Sequence, residues 1–254
     1  MNLNYKEFGQ GPPIVIVHGL FGMLDNWQTI ARQLSDHFTV YIIDQRNHGK
    51  SPHTIHINYD LMAEDLKRFM EDHFMFNAHI IGHSMGGKTA MQFALDYPDM
   101  VDRLVVVDIG TKAYPGGHQQ IFEALFSLDI ANIQNRSTVD AALKETIESF
   151  SIRQFLLKNL HRRKAGGYEW KMNLPVIYRD YEQILQSITH DEIFEKPALF
   201  IRGGRSDYVL DEDWAGIQDL FPDSELKTIH HAGHWVHAEA PEEFVDTVRQ
   251  FLIQ

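Results

Sequence analysis

Ala78-His79-Ile80-Ile81-Gly82-His83-Ser84-Met85-Gly86-Gly87-Lys88-Thr89-Ala90-Met91-Gln92-Phe93-Ala94 places an apolar run of strand length directly before G-x-S-x-G and an Ala-rich helical stretch directly after it. A serine on so tight a strand-to-helix turn sits in strained backbone with its hydroxyl presented outward, the layout of a nucleophile elbow. Gly82 and Gly86 have no Cβ to obstruct the bend, and Gly87 lets the helix pack close. The five-residue pattern alone would arise by chance roughly one time in ten in a chain of this length. The rest of the chain therefore has to carry the reading.

Outward from Ser84, apolar runs of strand length alternate with helical periodicity. Ile14 to Val17, Phe38 to Ile43, His79 to Ile81, Leu104 to Val107, Ala198 to Ile201 and Leu226 to Ile229 are expected to be strands, most of them too continuously apolar for a sheet with one wet face. Met62, Leu66, Phe69 and Met70 form a helical stripe behind an Asn58 cap, and Pro98 stops the helix that follows Ser84. This alternation predicts an α/β fold with a mostly parallel central sheet and helices on both faces. Catalytic groups in that architecture collect beyond the carboxyl ends of the strands. From Thr111 to His190 the alternation breaks. Helices are expected over Ile121 to Leu128, Ala141 to Phe150 and Val176 to Ile188, with Tyr168 to Asn173 as a short extended piece. The chain thus divides into a core of residues 1–110 and 191–254 and an inserted helical cap of residues 111–190.

The chain has 254 residues, 44% hydrophobic and 23% charged, which is ordinary for a soluble globular enzyme. No apolar stretch approaches the ~18 residues of a membrane helix, and Met1-Asn-Leu-Asn-Tyr-Lys-Glu has no secretory pattern, so a cytoplasmic protein is expected. With no cysteine there is no disulfide, thiolate metal site or cysteine nucleophile. A formal charge of -12 repels phosphate backbones, and Arg162-Arg163-Lys164 is too short a run to reverse that. Nucleic acid is excluded as a partner on these grounds, and a small molecule is the expected one.

Acyl transfer by a serine needs a base for the hydroxyl proton, a group that orients the base, and donors for the oxyanion. His234, in Ile229-His-His-Ala-Gly-His234-Trp235, lies after the last strand and before a helix opened by Pro241, where an imidazole can reach Ser84 as general base. His18-Gly19-Leu20-Phe21-Gly22 follows the first central strand, so the Leu20 amide, with that of Met85, is the candidate oxyanion hole. Two acids follow later strands in the order Ser, acid, His. They are Asp108, ending Leu104-Val-Val-Val-Asp, and Asp207, in Gly203-Gly-Arg-Ser206-Asp207.

His18-Gly-Leu-Phe-Gly, Asp44-x-Arg-Asn-His-Gly-x-Ser51, Gly82-His-Ser-Met-Gly-Gly-Lys88, Val105-Val-Val-Asp-Ile and Ala232-Gly-His-Trp-Val-His-Ala-Glu together resemble the α/β-hydrolase superfamily, in particular the small YbfF-type bacterial esterases. These motifs span nearly all of the chain outside residues 111–190. The superfamily's usual G-x-x-D-x-x-V would put the acid at position 206, where this chain has Ser206. The resemblance implies that Asp108 orients the imidazole and that Ser206 is a fourth member bonding to the histidine. It also implies a serine carboxylesterase acting on small to medium acyl esters without a cofactor.

Other functional readings compete on the same residues. His18 and His83 are expected to be structural, His83 because it points away from the site on a tight turn. The spacing of His230, His231, His234 and His237 could suggest metal ligands, but Ala232-Gly233 interrupts any helix that would align them, and no metal is expected. Asp44, Arg46 and Asn47 are expected to support the loop near the pocket. Phe21, Trp235 and the aromatics Tyr114, Phe122, Phe126 and Tyr178 either line an acyl pocket or belong to the core. A thioesterase, an amidase, a C-C bond hydrolase and a non-catalytic ligand-binding relic all fit the same triad.

Overall fold

A computed structural model of the chain describes residues 1–253. In chain order the strands are β1 (Tyr5–Phe8), β2 (Pro13–Val17), β3 (Thr39–Ile43), β4 (Ala78–His83), β5 (Val101–Val107), β6 (Leu160–Arg162), β7 (Tyr168–Trp170), β8 (Ala198–Gly203) and β9 (Ser224–Ile229). Seven of them form one sheet in the order β1-β3-β2-β4-β5-β8-β9, while β6 and β7 make a separate antiparallel pair. Only β1 runs antiparallel in the large sheet. Six of the seven sheet strands were legible as apolar runs. β1 was not, because Tyr5-Lys-Glu-Phe8 is an edge strand with an exposed or half-buried face and no apolar run to betray it.

The helices are α1 (Gln28–Leu34), α2 (Tyr59–Asp72), α3 (Met85–Asp96), α4 (Gln119–Phe126), α5 (Arg136–Lys144), α6 (Phe150–Leu157), α7 (Leu174–Arg179), α8 (Tyr181–Leu185), α9 (Trp214–Gln218), α10 (Val236–Glu239) and α11 (Pro241–Ile253). The alternation of strand side chains assigns them to faces. Val15, Val17, Ile80 and Val106 pack with residues of α2 and α3, whereas Ile14, Ile16, Ile81 and Val105 pack with residues of α1 and α11. Both faces are covered, which is why β4 is buried at every position. Asn58 Oδ1 accepts from Leu61 N at 2.9 Å and caps α2, and α3 ends at Asp96, two residues before Pro98.

The chain leaves β2 for β3 on one side and reaches β4 on the other, so β2 and β4 flank the point where strand order reverses. A crevice opens at such a point beyond the carboxyl ends of the strands. The register pairs Val17 with Gly82, which sets His18-Gly19-Leu20 beside His83-Ser84-Met85.

Between β5 and β8 the chain carries α4 to α8 and the β6–β7 pair. Two helices expected there differ from those found. Ala141 to Phe150 is not one helix, because α5 ends at Lys144 and Ser149 Oγ caps a new helix through Ile152 N. Val176 to Ile188 is broken at Asp180, whose carboxylate accepts from Ile57 N at 3.1 Å instead of facing solvent on a helix. The segment is tied to the loops beyond β2 and β3 by Asn159 Nδ2, donating to Phe21 O at 2.7 Å, and by Asn173 N, donating to Asn47 O at 2.8 Å. Among the described residues, no helix is long and apolar enough to cross a membrane.

Candidate active site

Ser84 joins β4 to α3 at φ 53 and ψ -122, a backbone conformation that a residue with a Cβ adopts only under strain. The bend holds because Ser84 N donates to Val107 O at 3.0 Å, while Gly87 N and Lys88 N donate to Ser84 O at 2.8 and 3.1 Å. Close backbone approach explains the flanking glycines. A Cβ on Gly82 would lie 2.2 Å from Gly86 O, and one on Gly86 would lie 2.3 Å from Val17 O.

Asp108 directly follows β5 with φ 51, and its N–H donates to Ile201 O at 2.8 Å. Its side chain is fully buried. A buried carboxylate needs donors, and three converge on it. Gly203 N donates to Oδ1 at 2.9 Å, Ser206 Oγ donates to Oδ2, and His234 Nδ1 lies 2.7 Å from Oδ2. With Nδ1 donating to the carboxylate, Nε2 presents its lone pair to Ser84 Oγ, 3.1 Å away. Ser84, Asp108, His234 and Ser206, far apart in the chain, thus form one connected hydrogen-bonded row. Ser206 reaches the imidazole through Asp108 rather than directly. Asp207 is outside this row and exposed.

The surrounding histidines hold the row in place. His83 Nε2 donates to His234 O at 2.8 Å, which fixes the backbone of the loop carrying the imidazole. His18 accepts from Gln45 N at Nε2 (3.0 Å) and donates from Nδ1 to Gly19 O (2.8 Å), bracing the loop that carries Leu20. His237 stacks on Trp27 at 3.9 Å, and His231 faces Glu243. Three of the four histidines of Ile229–His237 therefore serve different neighbours. Burial pushes His18 down to about 4, His237 down to about 3 and His83 well below the ordinary histidine value. These rings stay neutral and add no positive charge beside His234. Asp44 accepts from Leu24 N at 2.7 Å and Lys50 N at 2.8 Å, and Arg46 pairs with Asp65 at 2.6 Å, so both brace the loop after β3.

Leu20 and Met85 lie side by side across the β2–β4 junction. Met85 N belongs to the first turn of α3, whose amides have no intrahelical acceptor. Among the described residues, neither amide donates a backbone hydrogen bond. Two hollows meet at Ser84. The smaller, about 400 Å³, runs over α3 between Tyr59, Tyr114 and Tyr181. The larger, about 830 Å³, is bordered by Phe21, Phe155, Trp235 and His234. Phe122 is buried in the core, and Phe126 and Tyr178 are exposed, so these three line neither hollow.

Sequence reasoning missed several wall residues. The Tyr208 ring stacks on the His234 imidazole at 3.9 Å, and His118 Nδ1 lies 2.6 Å from Tyr181 Oη. Tyr208 occupies an unspecified position of the G-x-x-D-x-x-V stretch, and His118 comes from a loop without a motif. Lys88 did have a signal, as a charged residue one turn after Ser84 on an otherwise apolar helix. It is buried in the smaller hollow, and burial pushes its ammonium down to about 7.

Residues 12–122 match the family described as alpha/beta hydrolase fold. The chain is 39% identical to the sn-1-specific diacylglycerol lipase ABHD11 of Danio rerio, over 99% of this chain and 83% of that protein. The chain belongs to the α/β-hydrolase family. It is also 37% identical to Esterase YbfF of Escherichia coli K12, over 94% of this chain and 92% of that one. Among solved structures, a marine microorganism esterase superposes with a TM-score of 0.96 at 42% identity, covering 98% of both chains. The seven-stranded, mostly parallel sheet of this α/β-hydrolase agrees with the fold that the family description names.

Proposed function

We propose that this α/β-hydrolase is a serine carboxylesterase that cleaves small to medium acyl esters through an acyl-enzyme. The observation that carries the reading is His234 bridging Ser84 Oγ at 3.1 Å and the buried Asp108 carboxylate at 2.7 Å. The esterase and lipase names of its relatives support the ester as substrate.

Ser84 Oγ attacks the ester carbonyl while His234 Nε2 takes its proton, and the carbonyl oxygen becomes an oxyanion facing the Leu20 and Met85 amides. Collapse breaks the acyl–oxygen bond as His234 returns the proton to the departing alcohol. Water, deprotonated by the same nitrogen, then attacks the acyl carbonyl, and the bond to Ser84 Oγ breaks as His234 returns the proton to that oxygen and the acid leaves. Asp108 holds the imidazole in the Nδ1–H tautomer and offsets the positive charge it gains. Ser206 and Gly203 N hold that carboxylate in place as positioning groups. His234 borders the larger hollow and not the smaller one. The proton must reach the leaving oxygen, so the alcohol half belongs in the larger hollow, with Phe21 and Trp235 on its wall, and the acyl half in the smaller.

Residues 111–190 form a cap over the site in this reading, with His118 and Tyr181 its contribution to the walls. A small acyl ester as partner and a cytoplasmic location belong to the same proposal, and cell fractionation tests the location. A fluorophosphonate probe should label Ser84 stoichiometrically in the folded protein. Absence of labelling would favour a ligand-binding relic. Side-by-side kinetics on aryl esters, thioesters and anilides of one acyl chain should rank the esters first, and a higher kcat/KM for another class would overturn the ester reading.

A further inference from the structure

The smaller hollow holds a charge that the reaction does not use. Lys88 lies four residues after Ser84 on α3, about 6 Å along the helix axis, and only 1% of its surface is exposed. Its ammonium donates to Lys112 O at 2.7 Å and to Gln186 O, and sits 4.9 Å from the centre of the Tyr114 ring. Both acceptors are neutral carbonyls. Among the described residues, no carboxylate pairs with it. An ammonium has three donors, so one remains for the hollow.

Several other polar groups along this wall are already engaged, while the Asp207 carboxylate, which also borders the hollow, is exposed to solvent. Tyr59 Oη donates to Ile184 O at 2.6 Å and Tyr114 Oη to Tyr208 O at 2.7 Å, while Tyr181 Oη is bonded to His118. Lys112 Nζ pairs with Asp213 at 2.6 Å. A buried ammonium without a counter-ion is costly, and an anion brought into the hollow relieves that cost.

We propose that Lys88 is a specificity residue that receives a carboxylate at the far end of the acyl chain, so that the preferred acyl groups are those of short dicarboxylic acids. The inference rests on the esterase reading and on the acyl half lying over α3. A carboxylate two to four carbons from the scissile carbonyl spans the single helical turn between Ser84 and Lys88. The apolar walls of Ile109, Ile184 and Leu185 accommodate the intervening methylenes.

The test compares aryl monoesters of succinate and glutarate with aryl butyrate and valerate. Wild type should show the higher kcat/KM on the carboxylate-bearing esters. In Lys88→Met the ratio of carboxylate-bearing to neutral esters should fall by about 30-fold or more, the size expected when one partner of a buried charge pair is removed. Free glutarate, a probe that needs no turnover, should raise the Tm of wild type more than butyrate does, and this difference should vanish in Lys88→Met. An unchanged ratio, or equal stabilisation by the two acids in wild type, overturns the proposal. Faster cleavage of 4-acetoxybutanoate than of the glutarate monoester overturns the placement of the carboxylate on the acyl half. Glutarate stabilisation without turnover of any ester would instead overturn the esterase reading and leave the carboxylate site standing.

Discussion

At Asp108 and Asp207, neighbours on adjacent loops of the crevice, burial separates the two carboxylates. Asp108 has lost all contact with water and accepts from Gly203 N, Ser206 Oγ and His234 Nδ1, whereas Asp207 is exposed. Asp108→Asn should lower kcat on an aryl ester by about 10⁴-fold, because an amide in that place favours the wrong imidazole tautomer. Asp207→Asn should leave turnover near normal. The reverse outcome would move the acid to Asp207. Ser206→Ala removes one hydrogen bond to a charged group and should reduce kcat by about 10- to 100-fold with little change in KM. Tyr208 covers one face of the imidazole at 3.9 Å, and Tyr208→Ala should lower kcat by freeing that ring to rotate.

At the scale of elements, the elbow depends on three backbones meeting. A methyl on Gly86 would press on Val17 O at 2.3 Å and on His18 O at 2.5 Å, so β2 and the start of α3 would have to part. Gly86→Ala should cost about 2 to 4 kcal/mol and lower Tm by several degrees in a thermal melt. It should also depress kcat beyond any loss of folded protein, since the Leu20 and Met85 amides shift relative to Ser84. The sheet strands were legible because strands buried on both faces carry continuous apolar runs, as Ile14–Val17 of β2 and Leu104–Val107 of β5 do. The helices of 111–190 were located less well, since Ser149 and Asp180 end or interrupt helices through contacts that local periodicity does not record.

Across the whole molecule, His18, His48, His83 and His237 are buried and held below the ordinary histidine value of 6.5, His48 and His237 to about 3. Burial lowers each by disfavouring the charged form. The unfolded chain binds protons at these rings below pH 6.5 while the folded protein does not, so their contribution declines as pH falls from about 6.5 towards 4 and 3. His18 and His237 alone should remove about 2 to 3 kcal/mol between pH 6 and 5. Chemical denaturation at the two pH values checks this, and a stability that rises on acidification would contradict it.

The order of chemistry along the chain was determined by sequence alone. A serine framed by glycines follows a buried strand, acids end later strands, and a histidine precedes the last helix, because apolar runs and turn residues act locally and leave a local record. Which acid reaches the imidazole was decided by tertiary structure, through a difference of exposure between two nearby loops. So were the stacking of Tyr208 on His234 and the burial of Lys88 between two carbonyls from opposite ends of residues 111–190. Those relations join positions about 25 to 125 residues apart, and they exist only once strand register and the packing of that segment have set the distances.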